Sequence, residues 1–169
     1  AFLYFGTDEE IQTVLPRIKE TLEYYLKGFG DDGACVEGIN YWAYGFGYFT
    51  YFTQLLYQYS DGKDNLLDNK KVENIAVFPQ KLWFKNNNTV TFSDCGDKFT
   101  QRSGLIHFLK QKYIQISVHD DNCSLEFDGD DCYRFAHLIR DFAWRKNNIK
   151  VQTESENGFD YFKNAGWYI

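Results

Sequence analysis

The sequence predicts a mostly all-α chain, a multi-helix domain with short extended segments near residues 89–92 and 159–169. Three observations predict it. Residues 8–29 carry apolar side chains at helical spacing, residues 38–60 form a long stretch without any charge, and residues 101–113 and 130–146 repeat the helical spacing.

The first helix places Ile11, Val14, Leu15, Ile18, Leu22, Tyr25, Leu26 and Phe29 on one face, with Glu9, Glu10, Arg17, Lys19, Glu23 and Lys27 on the other. Pro16 suggests that the main helix begins there, with proline near its first position. Gly28 and Gly30 stop it, and residues 30–33 are a loop. The charge-free stretch 38–60 is long enough to raise a membrane-spanning helix. That reading fails because Asn40, Thr50, Thr53, Gln54 and Gln58 sit among its tyrosines. A helix buried on nearly every side fits better, with Gly45 and Gly47 letting another helix or a ligand come close. Each glycine costs about 1 kcal/mol in an ordinary helix, so a reason for both is expected.

Residues 61–85 read as a loop followed by short helical pieces, interrupted at Val77-Phe78-Pro79. Residues 89–92 are a short extended piece. In 101–113 the inward residues are Leu105, Ile106, Phe108 and Leu109. Asp128 or Asp130 would cap the next helix, whose inner face would carry Cys132, Phe135, Ala136, Ile139, Phe142 and Ala143. Residues 151–156 and 161–169 look extended, as at the start of β-structure.

At 169 residues the chain fits one domain able to bury roughly two-thirds of its unfolded surface. One-fifth of it is aromatic, which suits a bulky core, a sugar-stacking surface, or both. The net charge of −6, without a Lys/Arg cluster, argues against nucleic acid as the partner. The chain starts Ala-Phe-Leu-Tyr-Phe and contains no methionine, as a processed precursor or a fragment would. Its four cysteines are too sparse for a disulfide framework and read as free buried thiols. Cys95, His107, His119 and Cys123 match no zinc-ligand spacing, and the acidic stretch 120–131 fails the calcium-loop template. Asn87-Asn-Thr89 and Asn122-Cys-Ser124 match the glycosylation pattern, a weak signal. No hydrolase elbow, metalloprotease helix or phosphate-cradling loop occurs, so neither metal nor cofactor is expected.

Chemistry concentrates at the start of the charge-free helix, at Glu37, Gly38, Asn40, Tyr41, Trp42, Tyr44 and Tyr48. A helix start favours anions, and tyrosines spaced three to four residues apart share a face with rings to stack and hydroxyls to hydrogen-bond. The plain alternative is a core of satisfied tyrosines with Glu37 as a helix-start residue.

The pattern Asp32-Gly33-x-x-x-Glu37-Gly38-x-x-Tyr41-Trp42-x-Tyr44-Gly45 resembles the Asp-Gly-Gly-x-x-Glu-Gly-x-x-Tyr-Trp-x-Tyr-Gly signature of heparinase II/III-like polysaccharide lyases. Phe78-Pro79 followed by Thr91-Phe-Ser-Asp-Cys-Gly96 is similar to a later family segment. Tyr161-Phe-Lys-Asn-Ala-Gly-Trp167 is similar to the start of that family's β-sandwich. The departures lie at Ala34 and Cys35. The resemblance implies that residues 1–150 are part of an incomplete α/α toroid, and 151–169 a linker and first strand of a β-sandwich. It implies cleavage of an acidic, uronic-acid-containing polysaccharide by β-elimination. Tyr41 would be the acid, Glu37 an orienting partner, and Asn40, Trp42 and Tyr44 cleft residues. The family's carboxylate-neutralising residues and a further histidine would lie in missing upstream helices and the downstream β-sandwich, so the chain alone is expected to be inactive. Two other classes stay open, a non-catalytic carbohydrate-binding helical domain and a glycoside hydrolase, which needs facing carboxylates.

Overall fold

A capping box starts the first long helix: Thr7 Oγ1 accepts the Glu10 N–H at 3.3 Å and the Glu10 carboxylate accepts the Thr7 N–H at 2.8 Å. These bonds from Thr7 hold the Glu10 carboxyl below its ordinary pKa. The computed structural model describes residues 2–119, 134–147, 149–151 and 159–169. Within them lie α1 (Phe2–Phe5), α2 (Asp8–Lys27), α3 (Ile39–Tyr59), α4 (Lys70–Leu82), α5 (Ser103–Lys112), α6 (Phe135–Trp144), and the strands β1 (Tyr161–Phe162) and β2 (Trp167–Tyr168). The described chain is therefore mostly helical. The expected cap at Asp128 or Asp130, Cys123, Cys132, Asn122 and the extended residues 152–156 lie outside the described residues.

Two expectations about proline are corrected. Helix α2 begins at Asp8 rather than near Pro16, because the capping box sets its start. Pro16 and Gln12, whose carbonyl the proline leaves without a helical donor, are both exposed, so water can take that carbonyl. Helix α4 likewise runs unbroken through Pro79 from its cap at Asn69, whose Oδ1 accepts the Lys71 and Val72 N–H groups. Pro79 deprives the buried Ile75 carbonyl of its helical donor. The indole Nε1–H of Trp42 donates to that carbonyl at 2.7 Å. A lost helix bond is thus replaced by a bond between helices, and α3 is tied to α4.

Helix α3 is also less enclosed than its composition suggests. Ile39, Trp42, Ala43, Phe46, Phe49, Thr50, Thr53 and Leu56 are buried, whereas Asn40, Tyr41, Tyr44, Tyr48, Tyr57 and Tyr59 are exposed. Tyrosine allows this, since its ring can pack sideways while the hydroxyl stays wet. The buried hydroxyls of Thr50 and Thr53 donate to the carbonyls of Phe46 and Thr50. Among the described residues no helix is long and apolar enough to cross a membrane.

Helix α6 reverses the expected amphipathicity. Its inward residues are His137, Leu138 and Asp141, while Phe135, Ile139 and Phe142 face out, Phe142 at 75% exposure. The reason is polar: Asp141 Oδ1 accepts the Gly104 N–H at 2.8 Å, and His137 Nδ1 lies 2.7 Å from the Tyr51 hydroxyl. Helix α5 buries Leu105, Ile106, Phe108 and Leu109, in line with its pattern.

Among the described residues, the extended piece near 89–92 makes isolated bridges nearby, Trp83 with Thr89 and Asn88 with Lys98. Strands β1 and β2 form an antiparallel hairpin that pairs Tyr161 with Tyr168 and Phe162 with Trp167. Phe162 is buried against Phe78 of α4, with ring centroids 5.5 Å apart. The hairpin is thus packed into the helical core, and Lys81–Asp160 at 3.0 Å adds an ion pair.

Replacing Trp42 by Phe removes the N–H donor to Ile75 and should cost about 1–3 kcal/mol, the penalty of an unpaired buried carbonyl. Pro79→Ala restores a helical donor to the same carbonyl. Denaturant unfolding should show it stabilising more, by about 1 kcal/mol, in the Trp42→Phe background than in the original chain. Equal effects in both backgrounds would reject the coupling.

Candidate functional site: a tyrosine face on helix α3

The loop before α3 is built for close packing. Gly33 has φ +84°, and a Cβ there would lie 2.3 Å from the Asn74 carbonyl of α4. Asp32 Oδ1 accepts the Ala34 N–H at 3.2 Å and Oδ2 the Asn164 N–H at 2.8 Å, which ties the loop to the hairpin turn. Gly38, at φ +97°, caps α3 against Cys95. Trp42, 3% exposed, is occupied by Ile75. Gly45 leaves room for the Tyr25 hydroxyl of α2, 2.9 Å from where a Cβ would sit. Asp32, Gly33, Gly38, Trp42 and Gly45 are therefore each accounted for by contacts within the chain.

Of the predicted site residues, the structure brings Asn40, Tyr41 and Tyr44 onto the outward side of α3, with exposed Glu37 in the turn before it. Trp42 points the other way, into the core. Tyr41 is 45%, Tyr44 44% and Tyr48 39% exposed, and the Tyr44 and Tyr48 rings meet edge to face at 5.3 Å. Burial raises the Tyr25 phenol well above its ordinary pKa, with smaller contributions from Cys35 and Glu37, so Glu37 lies within electrostatic reach of that hydroxyl.

Beneath the face sits a residue that sequence reasoning passed over. His137, 1% exposed, is packed against Tyr48 at 5.0 Å, Tyr51 at 5.4 Å and Tyr44 at 6.2 Å between ring centroids. Its ring lies on the backbone of α3 at Gly47, where a Cβ would come within 3.2 Å of Cε1. The Arg134 guanidinium lies 5.1 Å over Tyr44, and that of Arg140 lies 5.4 Å over Tyr51 and 5.1 Å over Trp144. Burial, then the charge of Asp141, raises the Tyr51 phenol above its ordinary range, with Arg102 and Arg140 opposing. Tyr51 is thus held as a neutral hydrogen-bonding group. The signal available in the sequence was Gly47, a costly residue in a helix that marks a close approach.

Cys35 and Cys95 are free buried thiols, and burial raises the Cys35 thiol. Among the described residues no group of three His, Cys, Asp or Glu side chains is placed to hold a metal ion. A separate open groove of about 540 Å³ runs past Asn69, Lys70, Glu73, Lys112, Tyr113 and Gln115. Glu73 is engaged there by Lys70 and Gln115. No protein-family model matches the sequence, and no curated protein matches it either.

The glycines predict opposite responses. At Gly104 a Cβ would lie 2.1 Å from the Arg140 carbonyl, a backbone contact that cannot yield, so Gly104→Ala should destabilise by about 1–3 kcal/mol or more. At Gly45 the obstacle is the end of the Tyr25 side chain, and alanine gains about 1 kcal/mol of helix propensity, so Gly45→Ala should be close to neutral. Thermal unfolding of the two variants checks this; equal losses would contradict it.

Proposed function

We propose that this chain belongs to a polysaccharide lyase of α/α toroid type that cleaves uronic-acid-containing chains by β-elimination, with the tyrosine face of α3 as part of its substrate surface. The observation that carries the reading is an exposed row of Tyr41, Tyr44 and Tyr48 on a charge-free helix that is otherwise core. Rings in a row suit sugar faces, and their hydroxyls suit sugar hydroxyls. The Arg134 guanidinium lies over the Tyr44 ring at the side of the row.

Elimination transfers the proton at C5 of the uronate to a base, forms the C4=C5 double bond and expels the glycosidic oxygen at C4. The electron pair left at C5 needs a neutralised carboxylate, and the departing oxygen needs a proton. Tyr41 is the acid in this reading. Its phenol hydroxyl reaches solvent from the first turn of α3. Asn40 and Tyr44 line the same side, Glu37 orients the approach, and Trp42 acts from behind by fixing α3 on α4.

A second reading is favoured by the packing roles of Asp32, Gly33, Gly38, Trp42 and Gly45: the segment is an architectural element, and the tyrosine row binds sugar without cutting it. A glycoside hydrolase has less support. Of the loop carboxylates nearest Glu37 in sequence, Asp32 accepts two backbone N–H groups and Asp31 lies 3.4 Å from Lys71.

Incubation of the longer protein that this reading implies with uronate polysaccharides, followed by ultraviolet absorbance of the unsaturated product, separates these readings. Tyr41→Phe should lower turnover by about 10²–10⁴-fold, the usual worth of a general acid, and leave stability within about 0.5 kcal/mol. Undiminished turnover would remove Tyr41 from the chemistry. Tight binding of uronate oligomers by that longer protein, unaltered, with no product would favour the second reading.

A further inference from the structure

We propose that His137 is a positioning residue for the tyrosine face, acting through its hydrogen bond to Tyr51; the consequence for uronate binding rests on the carbohydrate reading above. His137, Leu138 and Asp141 occupy the inner side of α6 while Phe135, Ile139 and Phe142 are exposed. Apolar burial alone would turn this helix the other way. Polar contacts hold it, among them Asp141 on the Gly104 N–H and His137 on the Tyr51 hydroxyl at 2.7 Å. A helix that leaves three large apolar side chains exposed to bury a histidine departs from ordinary patterning, and such departures concentrate at functional sites.

The imidazole is placed to control the face. It rests on α3 where Gly47 has no side chain and contacts Tyr44, Tyr48 and Tyr51, two of them exposed. Burial and the nearby Asp141 keep the Tyr51 phenol protonated. The Tyr51 hydroxyl and His137 Nδ1 therefore share a hydrogen bond at 2.7 Å. That bond fixes the plane of the imidazole, and the plane sets how the Tyr44 and Tyr48 rings lean on it. The Tyr51 ring, meeting Tyr48 at 5.7 Å and Trp144 at 5.4 Å, passes the same constraint into the core.

Tyr51→Phe tests this directly, because it removes the hydrogen bond and keeps every ring. The aromatic ring resonances of Tyr44 and Tyr48, read by NMR without ligand, should move. Binding of a uronic-acid oligomer, followed by intrinsic fluorescence, should weaken about tenfold, the worth of one hydrogen bond. His137→Leu should weaken binding equally, and His137→Asn, whose side-chain amide can bond the Tyr51 hydroxyl in place of Nδ1, should restore it. Unmoved Tyr44 and Tyr48 resonances in Tyr51→Phe would overturn the proposal, as would His137→Asn binding no better than His137→Leu. If the resonances move but the unaltered protein binds no uronate oligomer, the positioning role stands and the carbohydrate reading falls. Should the His137 variants fail to fold, the isosteric Tyr51→Phe decides.

Discussion

Pro79 leaves the Ile75 carbonyl in the middle of a buried helix without its own donor, and the Trp42 indole supplies one at 2.7 Å. Much of the architecture follows from that bond. A buried carbonyl accepts from a narrow range of directions, so it fixes α3 along α4 and in rotation about its own axis. The same stretch of α4 receives Gly33, whose missing side chain lets the loop touch Asn74 and Ile75. Asn74 Nδ2 donates to the Asp31 carbonyl at 2.8 Å, and Phe78 packs on Phe162 of the hairpin. Loop, helix and hairpin thus meet on one turn of α4. With α3 fixed in rotation, the outward position of Tyr41, Tyr44 and Tyr48 is a consequence rather than a separate choice.

A second constraint acts from the other flank. Gly104 brings α5 against the backbone of α6, closer than any side chain would allow, and Asp141 closes the contact by taking the Gly104 N–H. This also places a carboxylate at the start of α5, where the helix dipole favours it. Once α6 is held in that rotation, His137 has nowhere to go but the gap over Gly47. The two glycines, one on each helix facing α6, therefore determine what lies beneath the tyrosine face. The cost is visible in Phe135, Ile139 and Phe142, which remain exposed.

Some of this was legible in the sequence. The capping box Thr7-x-x-Glu10 is a plain local signal, and reading Pro16 as a start overrode it. Pro79 reads as a breaker within its own helix, whereas the replacement donor to the Ile75 carbonyl comes from Trp42, 33 residues before Ile75. The spacing of Tyr41, Tyr44 and Tyr48 puts them on one face of the helix, and that face is exposed in the structure. Trp42 was grouped with them by position, although its side chain faces the core. His137 escaped notice because it sits in a helix whose apolar residues mark the opposite side as the inner one.

By itself the sequence determined the helices α2, α3 and α5, the free thiols at Cys35 and Cys95, and the exceptional character of the charge-free segment. These depend on periodicity and composition, which act over a few residues. The tertiary structure alone decided which stripe of α3 faces water, which side of α6 faces inward, and that Tyr51 and His137 meet across 86 residues of chain. Periodicity marks the stripes on a helix. It cannot say which one is covered when a buried carbonyl or amide group elsewhere in the fold demands a particular partner, and in this chain those polar demands outweighed the apolar pattern.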